Sequence, residues 1–188
     1  MRHQLETCVL STVHHQSIVE SPSSLPRHLL LEWPDEAATQ RFAEALAAWP
    51  GIANAVITLQ GPLGTGKTTF VRYLLRALGV QGRIKSPTYA VVEPYELVHA
   101  GAPLAISHFD FYRFTDPREW EDAGFRDIFA SPGLKIAEWP DLAGALLPLP
   151  DLAIQLTPMD ETRRQVQLTT HTAAGATLLA QWPQERAA

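Results

Sequence analysis

The chain has 188 residues, 46% of them hydrophobic and 19% charged, with a formal net charge of -5. That is enough to bury the core of one ordinary domain and too apolar for a disordered chain, and the acidic balance argues against a broad nucleic-acid surface of clustered Lys and Arg. The single cysteine, Cys8, excludes an internal disulfide, no Cys/His spacing suggests zinc, and the chain lacks both a long apolar run and a basic-then-apolar leader, so the reading is a soluble cytoplasmic protein.

Residues 1–27 are polar and irregular, with Ser21, Pro22, Ser23, Ser24 and Pro26 close together. They read as a mobile N-terminal extension ahead of one domain over 28–188. His28 to Glu32 can form a short first strand. Pro34-Asp35 then opens a helix, with Asp35 as N-cap, Ala38, Phe42, Leu46 and Trp49 as the apolar face and Pro50-Gly51 as the stop. Ala55 to Leu59 is a short apolar run rich in β-branched residues, hence a buried strand.

A glycine-rich segment, Gly61 to Thr68 (G-P-L-G-T-G-K-T), follows directly. Lys67 to Leu78 carries a helical stripe of Phe70, Val71, Leu74, Leu75 and Leu78, and Gly79 stands where a C-terminal cap belongs. Tyr89 to Val92 and Leu104 to His108 read as strands. Asp116-Pro117-Arg118-Glu119 has the grammar of a helix start. Leu134 to Glu138 is a further strand, and Leu152 to Leu156 with Gln165 to Thr170 form a late pair, antiparallel if a hairpin joins them. Early alternation of strands and helices predicts an α/β fold of the P-loop NTPase kind. Its central sheet is mostly parallel, with helices on both faces and added antiparallel strands.

The glycine-rich segment matches a complete phosphate-binding loop in the right strand-to-helix context. Gly61, Gly64 and Gly66 let the backbone curl so that successive N–H groups, including those of Leu63, Thr65 and Thr69, can face phosphate oxygens of ATP or ADP. The helix beginning near Lys67 offers its positive dipole end to the same place. Lys67, expected to face solvent in the empty loop, supplies charge for the β- and γ-phosphates, and the Thr68 hydroxyl is a candidate magnesium ligand. Asp110 and Glu138, at or just past strand ends, would lie at the carboxyl edge of a parallel sheet, where open α/β sheets bind ligands. Read alone, each is equally compatible with a solvated loop carboxylate.

Three further segments follow the loop: Lys85-Ser86-Pro87-Thr88-Tyr89, His108-Phe109-Asp110-Phe111-Tyr112-Arg113 and Glu138-Trp139-Pro140. In this order and spacing they resemble the TsaE (YjeE) family over roughly residues 30 to 170. The resemblance implies a bacterial ATPase serving the synthesis of threonylcarbamoyladenosine in tRNA. Such a protein acts on a TsaB–TsaD complex and touches tRNA only through it. It further implies that Thr68 and Glu138 hold Mg2+, that Asp110 lies near metal and γ-phosphate, and that Thr88 sits on a switch-like loop. Trp139 would pack near the nucleotide, Arg163 would contact it, and Glu36 would lie near the adenosine. Pro62 and Thr65 depart from the family's usual residues, and Glu96 to Leu104 is longer than usual.

A different class, a small-molecule or nucleotide kinase, fits the size and the loop. Such kinases carry a lid with several arginines that clamp transferred phosphate. Here Arg113, Arg118 and Arg126 are scattered along the chain.

Overall fold

The computed structural model describes residues 26–181; Cys8, the adjacent histidines His14 and His15 of the polar N-terminal stretch, which offer no metal-ligand spacing, and most of the expected N-terminal extension lie outside them. Strand β1, Arg27–Trp33, begins one residue inside that expected extension. Helix α1, Glu36–Ala47, is capped by Asp35, whose carboxylate accepts from the Ala38 N–H at 2.7 Å. Strand β2 is Val56–Gln60 and helix α2 is Lys67–Leu78. Gly79 ends α2 at a φ of 111°: its own N–H reaches the Arg76 carbonyl and the next N–H, of Val80, reaches that of Leu75. This is the paired closure that a left-handed glycine permits.

Strand β3, Val92–His99, and strand β4, Ala102–Asp110, form a hairpin across Ala100 and Gly101, both at positive φ. The expected strand over Tyr89 to Val92 is therefore displaced. Residues 88–90 are a turn, closed by the Val91 N–H on the Pro87 carbonyl, and only Val92 belongs to a strand. Two short helices follow, α3 at Pro117–Asp122 and α4 at Phe125–Ala130. Asp116 and Glu119 start α3 as a reciprocal pair: Asp116 accepts from the Arg118 N–H, and Glu119 from the Asp116 N–H. Strand β5, Leu134–Glu138, leads into the single turn α5, Pro140–Ala143; β6, Leu152–Pro158, β7, Arg164–Thr170, and α6, Ala173–Gln181, complete the order.

The seven strands make one sheet in the order β1-β7-β6-β2-β5-β4-β3. Strands β4, β5, β2 and β6 run parallel, while β3 on one side and β7 and β1 on the other are antiparallel additions. Two apolar clusters cover the two faces. One gathers α1 and α2 against Ile57, Leu59, Leu104, Ile106, Leu134, Ile136 and Ile154; the other gathers Phe109, Phe111 and Ala137 under Trp120 of α3 and Phe125 of α4. The alternation of strand side chains separates them, even-numbered residues of β4 and β5 facing α2. On that face Leu104 and Ile106 continue into His108 and Asp110, and Leu134 and Ile136 into Glu138. The apolar stripe thus turns polar at the carboxyl ends of the strands, where α2 begins.

Candidate functional site

The loop between β2 and α2 owes its course to glycines. Gly61, Gly64 and Gly66 have φ of 142°, 78° and 101°, values that residues with a Cβ seldom adopt. At Gly61 a Cβ would also stand 2.3 Å from the Leu156 carbonyl oxygen of β6. Lys67 is not the solvent-facing charge expected. It is only 4% exposed, and its ammonium donates to the Gly61 and Pro62 carbonyls at 2.7 and 2.9 Å. The same nitrogen lies 3.8 Å from the centre of the Trp139 ring. The long side chain folds back over the loop because these carbonyls and the aromatic face offer a partly desolvated cation its partners. Burial pushes the lysine pKa below its ordinary value, opposed by the charges of Glu138 and Asp110.

Asp110 and Glu138 are directly paired in the parallel register of β4 and β5, and both are buried. Glu138 accepts from the Thr68 hydroxyl at 2.9 Å and lies 3.0 Å from His108 Nε2. Asp110 accepts from the hydroxyls of Ser86 and Thr88 at 2.6 and 2.7 Å and from the Tyr112 N–H at 3.1 Å. The Ser-Pro-Thr turn is therefore tied by its side chains to the strand-end carboxylate. Trp139 adopts a left-handed backbone, φ 58° and ψ 51°, ahead of Pro140. That turn lets neighbours on a strand end part, Glu138 accepting from Thr68 while the Trp139 ring lies against Lys67, and the indole packs on Tyr112 at 5.0 Å between ring centres.

On the other side of the loop lies a cleft of about 300 Å³, at the small end of the range for ligand sites. Its floor is Gly64, Thr65, Gly66 and Thr69, and its walls include Trp33 and Glu36. Glu36 is held by the Tyr73 hydroxyl at 2.6 Å. Arg163 is not among the lining residues. Its guanidinium donates to Asp160 at 2.6 Å and lies 3.6 Å from Glu32. The adjacent Arg164 lines the cleft instead and donates to the Thr65 carbonyl at 3.2 Å. The turn at Asp160, whose carboxylate accepts from the N–H groups of Thr162 and Arg163, presents one arginine to each side.

The structure so gathers Lys67, Thr68, Thr88, Asp110, Glu138 and Trp139 at one end of the loop and Glu36 at the other, with Leu63 exposed between. Two residues went unread in the sequence. His108 stands in a noted motif, and its signal was a polar residue two positions before Asp110, in step with the apolar Leu104 and Ile106 on one strand face. Arg164 had no local signal beyond sitting next to Arg163.

The donor set suits a magnesium nucleotide. A hydroxyl and two carboxylates converge where the glycine-rich loop ends. Among the described residues no group of three or more His, Cys, Asp and Glu side chains could hold an ion unaided. Mg2+ ordinarily takes one or two carboxylates, phosphate oxygens and water, and not an all-protein cage.

The family model for threonylcarbamoyl adenosine biosynthesis protein TsaE matches residues 33–166. The TsaE protein of Haemophilus influenzae is 36% identical over 150 residues, covering 78% of this chain and 92% of that protein. TsaE of Bacillus subtilis is 33% identical over 143 residues, covering 74% and 85%. The crystal structure of Bacillus subtilis YdiB superimposes with a TM-score of 0.66 at 26% identity, over 84% of this chain and 95% of that one.

Proposed function

The chain belongs to the TsaE family, and from that premise we propose that it is the ATP-binding, ATP-hydrolysing member of the machinery that makes threonylcarbamoyladenosine in tRNA. The role in this biosynthesis follows from the family. Action on a TsaB–TsaD complex is proposed from the family resemblance alone. The finer reading of the site, ATP with Mg2+, is supported by one observation. The first turn of α2 is hydrogen-bonded to a strand-end carboxylate, Thr68 to Glu138, and the paired carboxylate Asp110 holds the Ser86–Thr88 turn.

Each residue has a task in this reading. The loop N–H groups and Lys67 bind the phosphates, and Lys67 exchanges the Gly61 and Pro62 carbonyls for phosphate oxygens. Thr68 and Glu138 would hold Mg2+, with Asp110 beside them; the ion supplies neutralising charge for phosphoryl transfer to water. Thr88, tied to Asp110, couples the occupied phosphate site to an exposed turn, as switch loops do. That turn carries Tyr89, 84% exposed, with Arg113 lying on its ring, a surface a partner protein could read. The kinase reading gains nothing here: Arg113 rests on Tyr89 and Arg118 pairs with Asp116, so neither belongs to a phosphate clamp. Among the described residues no helix is long and apolar enough to cross a membrane.

The test is ATP hydrolysis by the purified protein with and without TsaB–TsaD, together with capture of that complex in ATP. Hydrolysis stimulated by the complex and nucleotide-dependent capture are expected. A stoichiometric phosphorylated small molecule in place of ADP and phosphate would overturn the reading.

A further inference from the structure

We propose that His108 is a positioning residue for Glu138: through its Nε2–H it fixes the carboxylate so that one chosen oxygen faces Thr68. The inference rests on the reading of Glu138 as a magnesium-linked carboxylate. Glu138 has two oxygens and two donors from different elements. Oε1 is 3.0 Å from His108 Nε2 on β4, and Oε2 takes the Thr68 hydroxyl from α2 at 2.9 Å. A carboxylate only accepts, so the imidazole hydrogen sits on Nε2. Nδ1 finds no partner among the described residues. That suits a bare lone pair better than a stranded N–H, whose burial costs more.

His108 is wholly buried, on the strand face where Leu104 and Ile106 precede it. A hydrocarbon would satisfy packing there. A buried imidazole with one ring nitrogen unpaired is a poor stabiliser, and its hydrogen bond goes to the carboxylate alone. The hold on Oε1 is also independent of Thr68. If the threonine hydroxyl leaves Glu138 for a ligand, the carboxylate keeps its orientation.

The measurement is ADP affinity by calorimetry, with Mg2+ and again in EDTA, for His108→Leu, His108→Gln and Glu138→Gln. The ratio of the two affinities reads the metal's contribution and does not depend on turnover. His108→Leu is expected to lower that ratio about 10- to 100-fold, as loss of an outer hydrogen bond to a metal-linked group does, with affinity in EDTA kept. His108→Gln, which restores an N–H at comparable reach, is expected to recover most of the ratio. A wild-type ratio in His108→Leu, or an equal loss in EDTA, overturns the proposal. Glu138→Gln separates the two levels. If it loses the ratio while His108→Leu keeps it, the histidine's role alone fails. If Glu138→Gln keeps the ratio, the metal reading fails, and this inference with it.

Discussion

Lys67 shows how a residue of the proposed site can work against its own fold. Its pKa is lowered by burial, so the unfolded chain binds that proton more readily than the folded one. The penalty is present at neutral pH and fades as the pH rises through the depressed value. Lys67→Met keeps the length and removes the charge. Its melting temperature without nucleotide is expected to equal or exceed that of the wild type, while ATP binding weakens by about 1.5–3 kcal/mol, roughly 10- to 150-fold. A large fall in thermal stability with ATP affinity intact would contradict both halves. For Glu138 the informative change is to glutamine, since alanine would strand His108 Nε2–H and the Thr68 hydroxyl. ATP hydrolysis by Glu138→Gln is expected to drop about tenfold or more, with ADP affinity in EDTA unchanged. The ring of Trp139, 3.8 Å from Lys67 Nζ, gives an optical check. ATP should change the tryptophan emission, and Trp139→Phe should abolish most of that change although Trp33, Trp49, Trp120 and Trp182 remain.

At the scale of elements, what could be read in advance was whatever the chain states locally. Strand β2, helix α2 and strand β5 carry their own periodicity, and Asp35 and Gly79 cap the helices where their side-chain chemistry says they should. Strand β3 was misplaced because it states little. Val92–His99 contains Pro94 and two glutamates, lies at a sheet edge and is only half-buried at best, while the more strand-like Tyr89-Ala90-Val91 is bent by the turn on Pro87. The arginine that lines the cleft, Arg164, was not legible, for a related reason. Whether Arg163 or Arg164 faces the loop depends on the Asp160 turn and on Thr65, a contact 99 residues distant. Non-local contacts of this sort also show in Gly133, just before β5. Its φ is 124°, and a Cβ there would stand 2.6 Å from the Ala105 carbonyl oxygen of β4. That oxygen is backbone and cannot swing away. Gly133→Ala is therefore expected to cost about 2 kcal/mol or more, roughly 4–8 °C in melting temperature. Wild-type melting would show that β4 and β5 can part at that end without loss.

The whole molecule is a parallel core widened by antiparallel strands, and the additions serve the site unequally. Strand β3 closes one edge through β4, which carries His108 and Asp110. At the other edge β1 pairs with β7 along all seven of its residues, Arg27 with Thr170 through to Trp33 with Arg164. Its last residue, Trp33, packs at 5.2 Å on Phe42 of α1 and at 6.0 Å on Phe70 of α2, and it lines the cleft. The family match begins at this same tryptophan. These facts set a boundary that two truncations can find. Removal of residues 1–25 leaves every residue of the proposed site and all of β1, so ATP affinity and melting temperature are expected to stay at wild-type values. Removal of residues 1–33 takes the edge strand away, leaves the β7 N–H and C=O groups facing β1 without partners and opens the Trp33–Phe42–Phe70 cluster. Deleting a buried aromatic costs about 3–5 kcal/mol by itself, a large share of the stability of an ordinary domain. The longer deletion is therefore expected to unfold at a much lower temperature, or to accumulate as aggregate, and to lose nucleotide binding with the cleft wall. Calorimetry and ADP titration of the two proteins decide it. If the shorter deletion already destabilises the domain, the fold extends upstream of β1; if the longer one still binds ADP normally, Trp33 and β1 are not part of the nucleotide cleft.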